Sequence, residues 1–273
     1  MSMTTGQDYM ASPFRYPGAK GRLLPAINKY LRPLLDKTTH FHDVFVGGGS
    51  VLINVASTDL SQKLYANDLD ERIFSFWQLT LENDKAVNQF YEMLDVKPTV
   101  EMFKKLRATK PTGLVEKAYH AVFFNRCTFS GIATSGPIGG YDQKSEYPID
   151  CRYNAVSLIK RFKELRRLFS GRLTVYNLPF QDYIPYIVKD NEVMYLDPPY
   201  YQQGPELYPV FMKPEEHKEL AEILIGRERN WVLSYDKCDE IDQLYGWADR
   251  IPINATYSVK QKSNRKTQEY VII

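Results

Sequence analysis

The stretch Val193-Met194-Tyr195-Leu196-Asp197-Pro198-Pro199-Tyr200 joins an apolar run to a rigid turn. Its first half has the composition of a buried strand. The two prolines hold φ at about −65° and lack backbone N–H groups, so the turn at residues 197–200, named here the DPPY turn, is stiff. A carboxylate and a carbonyl in such a turn can accept both hydrogens of one planar amino group, while the aromatic ring stacks beside it. The stretch therefore predicts a clamp for an exocyclic amine.

The composition of the chain suits a globular protein of one large domain, or of one domain with an insertion. Its 273 residues are 44% apolar and carry a net charge of +2, so binding to nucleic acid would depend on local basic patches. The cysteines are odd in number and widely spaced, which is typical of a reducing cytosol and predicts no disulfide framework. No apolar run approaches the roughly 20 residues of a membrane span. We expect a cytoplasmic protein without a bound metal or a membrane association.

A second informative stretch is the glycine run at residues 47–49, named here the glycine loop. It follows a predicted strand at residues 43–46 and precedes Ser50, which can cap a helix. Asp68 follows about 20 residues later, at the end of the next predicted strand, where an acid accepts hydrogen bonds from ribose hydroxyls in nucleotide-binding folds. Neither a dinucleotide fingerprint nor a P-loop is present. The pattern predicts an adenosine-like ligand without a phosphate cradle, and S-adenosylmethionine fits that description.

Strand and helix patterns alternate at both ends of the chain, which predicts an α/β sheet. Further strands are predicted at residues 63–66, 173–176, 193–196 and 231–235, with closing antiparallel strands at 250–253, 256–259 and 270–273. Helices are predicted at residues 23–35 and 70–82. The stretch 85–168 is mostly helical and more basic, so we expect it to interrupt the sheet as an insertion.

Basic residues form three separate clusters, although the net charge is close to zero. The first comprises Lys160, Arg161, Lys163, Arg166 and Arg167, the second Lys104, Lys105, Arg107 and Lys110, and the third Lys260, Lys262, Arg265 and Lys266. Together they suggest a track for phosphates, although a basic helix face can also be merely solvated. Between them lies a loop rich in glycine and small polar residues, preceded by Asn125 and Arg126. These two side chains are able to read base edges or bind phosphates, and we predict that the loop supplies sequence specificity.

Three motifs stand in a fixed order: Phe14-Arg-Tyr-Pro-Gly-Ala-Lys20, Asp43-Val-Phe-Val-Gly-Gly-Gly-Ser50 and the DPPY turn. This order resembles the DNA adenine methyltransferase (Dam-like) family, which methylates N6 of adenine from S-adenosylmethionine. The resemblance implies an α/β fold, a Rossmann-like methyltransferase sheet with an inserted, mostly helical DNA-recognition domain. Residues 1–84 and 169–273 would form the catalytic domain, and residues 85–168 would recognise the target. It also implies double-stranded DNA as the substrate and flipping of the target base out of the duplex.

The resemblance assigns roles to individual residues. The catalytic residues would be Asp197, Pro198 and Tyr200. The cofactor would be bound by Tyr16, Lys20, Asp43, Gly47, Gly49, Asp68, Phe180 and Asp197, with Lys20 near the methionine carboxylate. DNA would be bound by Asn125, Arg126, Ser130, Arg152, Lys262 and Arg265. One departure concerns the strand expected before the DPPY turn, where family members often carry Asp-Phe and this chain has Pro179-Phe180. Either Asp182 replaces the lost acid, or the proline marks a sheet edge or bulge.

Two other functions are compatible with a clamp for a planar amine. One is methylation of a different amino group, such as cytosine N4 or a base in RNA. The other is a DNA-binding relative that has lost catalysis. The order of the motifs and the Asn125-Arg126 pair favour adenine in DNA. We expect a monomer, and a cognate restriction endonuclease is the candidate protein partner.

Overall fold

The computed structural model contains one seven-stranded sheet in the order β3-β2-β1-β4-β5-β7-β6. The structure describes residues 12–15, 20–58, 62–202, 210–255 and 267–273. The strands are β1 His40–Asp43, β2 Lys63–Asn67, β3 Leu173–Tyr176, β4 Val193–Leu196, β5 Trp231–Asp236, β6 Arg250–Ala255 and β7 Thr267–Ile272. Strands β1 to β5 run parallel, and β7 is antiparallel to both of its neighbours. This mixed α/β sheet confirms the predicted Rossmann-like fold class.

The order of the strands creates a crevice at the centre of the sheet. From β1 the chain adds β2 and β3 on one side, whereas β4 and β5 lie on the other side. In open α/β sheets, ligands bind outside the carboxyl ends of the strands at such a switch point. Asp43, the last residue of β1, is paired in register with Tyr195 of β4. The glycine loop and the DPPY turn therefore emerge side by side.

Helices cover both faces of the sheet, which explains why all four residues of β4 are buried. The described residues form ten α-helices: α1 Leu24–Leu35, α2 Ser50–Thr58, α3 Glu71–Leu79, α4 Asp84–Leu94, α5 Val100–Ala108, α6 Leu114–Cys127, α7 Ala155–Phe169, α8 Phe180–Ile187, α9 Pro214–Ile225 and α10 Asp239–Leu244. The helix that follows the second strand begins as the sequence suggests, because the Asp70 side chain accepts a hydrogen bond from the Arg72 amide. None of these helices, in the part of the chain described, is long and apolar enough to cross a bilayer.

The predicted insertion is helical in the structure, with α4 to α7 between residues 84 and 169. Its aromatic core continues into the core beside the sheet. The ring of Phe162 in α7 packs edge-on against Phe76 of α3, with 5.4 Å between the ring centroids. An isolated antiparallel β-bridge between Thr128 and Pro137 closes the base of the glycine-rich loop that follows α6. That the insertion is a separate recognition domain stays a prediction.

The strand expected at residues 43–46 is wrong in its bounds, because β1 is His40–Asp43. Its polar sequence, His-Phe-His-Asp, hid it from a search for apolar runs. His42 is 1% exposed, and its ring nitrogens are hydrogen-bonded to the Tyr183 hydroxyl at 2.8 Å and to the Glu192 carboxylate at 2.9 Å. A histidine with both nitrogens satisfied can lie in a core strand. The strand predicted at 256–259 lies outside the described residues.

Candidate active site

A cleft with about 1200 Å³ of empty space, part of it open to solvent, lies at the carboxyl ends of β1 and β4. The cleft brings together most of the side chains that the sequence assigned to cofactor binding. Its lining includes Lys20, Asp43, Gly47, Gly49, Asp68, Phe180 and Asp197. Tyr16, Lys262 and Arg265 lie outside the described residues.

The glycine loop is shaped by close contact with a tryptophan. Gly47 and Gly49 have φ values of +43° and +66°, in the left-handed region that favours glycine. A Cβ atom on Gly49 would lie 2.3 Å from Cζ2 of Trp77. The Trp77 indole also donates a hydrogen bond of 3.0 Å to the Gly47 carbonyl. The backbone of the loop is therefore fitted to the indole, and no local pattern in the sequence indicated this role for Trp77.

Asp68 lies against the glycine loop, as its place in the sequence predicted. Its carboxylate accepts a hydrogen bond of 2.8 Å from the Gly47 amide and another of 2.9 Å from the Asp70 amide. Burial, followed by the negative charge of Asp70, raises the pKa of Asp68 to about 7. The side chain thus ties the loop to the end of β2. Its proposed contact with ribose hydroxyls stays a prediction.

Asp43 is the most deeply buried acid of the cleft, with 2% exposure. Among the described residues, its Oδ1 atom has no hydrogen-bond partner. Burial, and secondly the charge of Asp197, raise the pKa of Asp43 well above its usual value. Buried polar atoms without a partner are rare in proteins, and a ligand is one explanation for them. An acceptor in this position fits a ligand that carries N–H donors and a positive charge, as S-adenosylmethionine does.

The DPPY turn is bound by a buried lysine. The Lys20 ammonium lies 2.7 Å from the Asp197 carboxylate and donates a hydrogen bond of 3.1 Å to the Tyr200 hydroxyl. Burial alone would lower the pKa of Lys20, but the charge of Asp197 raises it well above its usual value. Burial raises the pKa of Asp197 to about 6, although Lys20 acts in the opposite direction. The resemblance assigned Lys20 to the methionine carboxylate, whereas the structure places it against Asp197 while it also lines the cleft.

A second acid, Glu269 of β7, completes this cluster. It is 1% exposed, and its Oε1 accepts a hydrogen bond of 2.7 Å from the Tyr200 hydroxyl. Its Oε2 lies 3.5 Å from the Lys20 ammonium. Sequence reasoning missed Glu269, because its partner is 69 residues away along the chain. The two residues come together only in the folded sheet, because β7 pairs antiparallel with β5.

The segment before β4 corrects one expectation. Pro179 and Phe180 do not lie on a strand or at a sheet edge; Pro179 is the N-cap of helix α8, and Phe180 is its first residue. Proline suits a helix start, because no earlier carbonyl is available to pair with its missing N–H. Phe180 lines the cleft, as predicted, whereas Asp182 is absent from the lining and Gln181 is present. A contact between Asp182 and the cofactor stays a prediction.

The structure gives Asn125 partners within the protein, and its contact with DNA stays a prediction. It is 4% exposed, and its side-chain amide forms a matched pair of hydrogen bonds with the backbone of Arg15. Its Oδ1 accepts from the Arg15 amide at 2.7 Å, and its Nδ2 donates to the Arg15 carbonyl at 2.8 Å. The side chain that was predicted to read a base edge is therefore occupied within the protein. It pins the N-terminal segment to the end of α6.

Arg126 is directed to the same N-terminal segment. It is half-buried, and its guanidinium donates a hydrogen bond to the Pro13 carbonyl. Burial lowers the pKa of Arg126 to about 10. Ser130 follows in the loop with φ of +55°, next to Phe129, which is 58% exposed. Arg152 is exposed as well. Of the predicted DNA-binding residues that are described, Ser130 and Arg152 are the ones that remain accessible without such a contact.

The first basic cluster is partly neutralised within the chain. Arg161 pairs with Glu164 at 2.9 Å, and Arg166 pairs with Asp84 at 3.2 Å. In the second cluster, Arg107 donates hydrogen bonds to two backbone carbonyls of the loop that follows α6, at 2.6 and 2.8 Å. These contacts give the arginines structural roles. The third cluster lies outside the described residues.

Within the described ranges, no group of three or more His, Cys, Asp or Glu side chains is arranged to hold a metal ion. The residues that line the cleft include the glycine loop, five acids (Asp43, Asp68, Asp70, Asp197 and Glu216) and one buried lysine. This donor set suits an organic ligand with both polar groups and a cationic centre.

Two similarities to known proteins agree with this arrangement. Residues 16–259 match the profile of the family described as D12 class N6 adenine-specific DNA methyltransferase. The chain is also 24% identical over 197 residues to the Type II methyltransferase M1.LlaDCHI of Lactococcus lactis subsp. cremoris, an alignment that covers 68% of this chain. The chain spans 64% of the length of that curated relative. Because the profile covers the glycine loop, the helical insertion and the DPPY turn together, the chain belongs to the D12 class N6 adenine-specific DNA methyltransferase family.

Proposed function

We propose that this protein transfers a methyl group from S-adenosylmethionine to N6 of adenine in double-stranded DNA. The observation that carries the proposal is the juxtaposition of the glycine loop and the DPPY turn, with the Asp197 carboxylate lining the cleft that both enclose. Family membership supports adenine in DNA as the target. The intact Asp197 argues against a relative that has lost catalysis. Methylation of cytosine N4 or of an RNA base is the alternative that the assay below separates.

Adenine N6 is a poor nucleophile, because its lone pair is delocalised into the ring. Asp197 and the Pro198 carbonyl would accept the two N6 hydrogens and so direct the lone pair at the methyl group. The bound cofactor supplies that methyl group on a positively charged sulfonium. Positive charge then develops on N6 as its bond to the methyl carbon forms and the methyl–sulfur bond breaks, and the fixed carboxylate of Asp197 stabilises this charge without reorganisation. N6 then loses one proton, to Asp197 or to water, which leaves the neutral N6-methyladenine. Alignment of the two reactants in the cleft lowers the barrier further.

The cofactor would be held by residues from both halves of the cleft. Asp43 provides a buried acceptor for its cationic end, and the glycine loop lets the backbone approach closely. Asp68 would receive the ribose hydroxyls, in exchange for one of its present backbone hydrogen bonds. Phe180 would pack on the adenine ring, since it is the aromatic side chain that α8 directs into the cleft. Lys20 and Tyr16 complete the proposed set.

The target base must leave the duplex before its amino group can reach Asp197. Extrusion costs a few kcal/mol, and stacking on an aromatic ring returns roughly 1–3 kcal/mol. We assign that role to Tyr200 from the resemblance. Its hydroxyl is fixed by both Lys20 and Glu269, its side chain is 6% exposed, and it is not among the described residues that line the cleft. The exposed loop with Ser130 and Phe129, together with Arg152, is the proposed DNA surface. Lys262 and Arg265 extend the proposal to residues beyond those described.

The biological setting is also proposed. The relative from Lactococcus is named a Type II methyltransferase, so a cognate restriction endonuclease is the candidate partner for this chain. We propose a monomer that acts on DNA in the cytoplasm. Co-expression with a neighbouring nuclease would test this part, since a methyltransferase of this type protects host DNA from cleavage.

The test of the activity is a methyl-transfer assay with tritiated S-adenosylmethionine and duplex DNA, followed by mass spectrometry of the digested nucleosides. We expect N6-methyladenine from the wild-type protein and none from Asp197→Ala. Asp249→Ala, which removes an exposed acid remote from the cleft, is the matched control and retains activity. N4-methylcytosine, a product from RNA alone, or wild-type turnover by Asp197→Ala would overturn the proposal.

A further inference from the structure

Two carboxylates share one lysine beside the DPPY turn. Lys20 lies 2.7 Å from Asp197 and 3.5 Å from Glu269. Lys20 and Glu269 are 4% and 1% exposed, so water screens these charges weakly. The Asp197 side chain is 24% exposed, and the three ionised groups together carry a formal charge of −1.

This charge matters for the reaction under "Proposed function", on which the present inference rests. An Asp197–Lys20 pair by itself would be neutral, and the ammonium would cancel much of the attraction that Asp197 exerts on a cation forming at N6. A second carboxylate on the same ammonium restores a net negative charge. Because field effects are strong where water is excluded, one additional charge at this distance is significant.

We propose that Glu269 is a positioning residue for methyl transfer, which offsets the charge of Lys20 and fixes the ring of Tyr200 through its hydroxyl. It touches neither the base nor the cofactor. Each of its oxygens has a different partner: Oε1 accepts a hydrogen bond from Tyr200, and Oε2 lies near the Lys20 ammonium. Neither role is assigned by the three motifs, since Glu269 lies outside all of them.

The charge of Glu269 should shift the pKa of Asp197 in one direction only. The groups around Asp197 are Lys20, Tyr195 of β4, Asp43 of β1, Tyr235 of β5 and Glu269 of β7. Of these, Glu269 raises the pKa of Asp197, because two like charges disfavour each other. Replacing Glu269 with a neutral isostere therefore makes Asp197 easier to ionise. A purely structural role would leave the titration of Asp197 unchanged.

The experiment compares Glu269→Gln with the wild type in two measurements. We expect kcat to fall by roughly 10- to 100-fold, with KM for the cofactor and DNA changed less than about twofold. The acidic limb of the kcat–pH profile shifts to lower pH. In the cofactor-free protein, the Asp197 carboxyl signal in ¹³C NMR titrates at lower pH, and this second readout does not depend on activity. If the wild type makes no methylated product, the proposed function fails, whereas an unmoved titration overturns the role of Glu269.

Glu192→Gln is the matched control, because Glu192 is also a buried acid, 6% exposed, and lies at the opposite end of β4. We expect it to change the unfolding midpoint but not the titration of Asp197. Tyr200→Phe provides a second route if Glu269→Gln folds poorly. It keeps the ring and removes the hydroxyl, so we expect a smaller loss of kcat than for Glu269→Gln, and the double variant should lose no more kcat than Glu269→Gln alone. Fully additive losses, or equal effects of Glu269→Gln and Glu192→Gln on the titration, would refute the proposal.

Discussion

The two walls of the cleft are held in place by different forces. The glycine loop is fixed mainly by shape and by hydrogen bonds to its backbone. Trp77 packs under the loop, the Asp68 side chain accepts from the Gly47 amide at 2.8 Å, and the Ser12 hydroxyl donates to the Gly48 carbonyl at 2.5 Å. The DPPY turn is fixed by buried charge, through the contacts of Lys20 with Asp197 and Tyr200. Both walls follow adjacent parallel strands, so the difference does not come from the sheet.

The difference reflects what each wall must do. A wall that accommodates a bound molecule needs a backbone that comes close, and glycine on an indole provides it. A wall that stabilises developing charge needs a field that is present before the reaction begins. We therefore expect substitutions in the glycine loop to lower stability and cofactor affinity. Substitutions around the DPPY turn should change kcat and its dependence on pH.

The largest effect is expected for Gly49→Ala. A left-handed φ of +66° costs a non-glycine residue about 1–2 kcal/mol. The new Cβ, at 2.3 Å from Trp77, adds an overpacking cost of about 1–3 kcal/mol. We expect the free energy of unfolding to fall by about 2–5 kcal/mol in urea titrations. Cofactor affinity, measured by calorimetry, should fall with it.

The control for this loss is Gly226→Ala. Gly226 ends α9 with a φ of −79°, and its Cβ would meet nothing closer than the Ile223 carbonyl oxygen at 3.7 Å. A change of less than about 1 kcal/mol is expected there. Equal losses in the two variants would show that the contact with Trp77 does not shape the glycine loop.

The next effect belongs to the other wall and concerns Lys20→Met. Lys20 lowers the pKa of Asp197, so its removal raises that pKa above the present value of about 6. Because the proposed mechanism needs Asp197 as the carboxylate, we expect activity to be lost at a higher pH as the pH falls. We expect the acidic limb of the kcat–pH profile to move up by about 1–3 units. This is the opposite direction from Glu269→Gln.

Lys29→Met is the matched control, because Lys29 is an exposed lysine on α1. Its profile should coincide with that of the wild type. If the acidic limb of the kcat–pH profile of Lys20→Met stays in place or moves to lower pH, buried charge does not fix the DPPY turn.

The contrast between the walls also explains what could be predicted from the sequence. β4 and the DPPY turn were found because their signals are local: four apolar residues followed by two prolines. The glycine loop was found for the same reason. In contrast, the predicted bounds of β1 were displaced. His42 can be buried in this strand because it is hydrogen-bonded to Tyr183 and Glu192, which are distant along the chain. Contacts that only the folded sheet creates leave no local signal.

Glu269 and Asn125 show the same limit in the site itself. Glu269 follows a basic stretch and resembles a surface residue, yet it is buried under the DPPY turn. Asn125 lies near the end of α6, just before an arginine and a polar loop, and resembles a base reader, yet its amide is hydrogen-bonded to Arg15. Residue type indicates which hydrogen bonds a side chain can form. The partner is decided by packing, which is why the assigned chemistry of the DPPY turn could be predicted while its support could not.

The smallest effect is expected for Asn125→Ala, which acts on both walls at once. The N-terminal segment that Asn125 pins contacts the glycine loop through Ser12, and the chain continues from it to Lys20 beside Asp197. Truncation leaves the Arg15 amide and carbonyl without their partner, at a cost of about 1–3 kcal/mol. Both cofactor affinity and kcat should therefore fall modestly, by about two- to tenfold. The sequence preference in methylated plasmid DNA should not change.

A base-reading residue would behave differently, because loss of a bidentate base contact relaxes discrimination by about 1–3 kcal/mol at one position. Sequencing of the methylated adenines therefore separates the two roles. Asn154→Ala is the control, since Asn154 is a second asparagine of the insertion and its side chain caps α7. It should lower stability by about 1 kcal/mol and leave cofactor affinity unchanged. If Asn125→Ala broadens the recognition sequence while the free energy of unfolding is preserved, the side chain leaves Arg15 when DNA binds, and the N-terminal segment does not link the two walls.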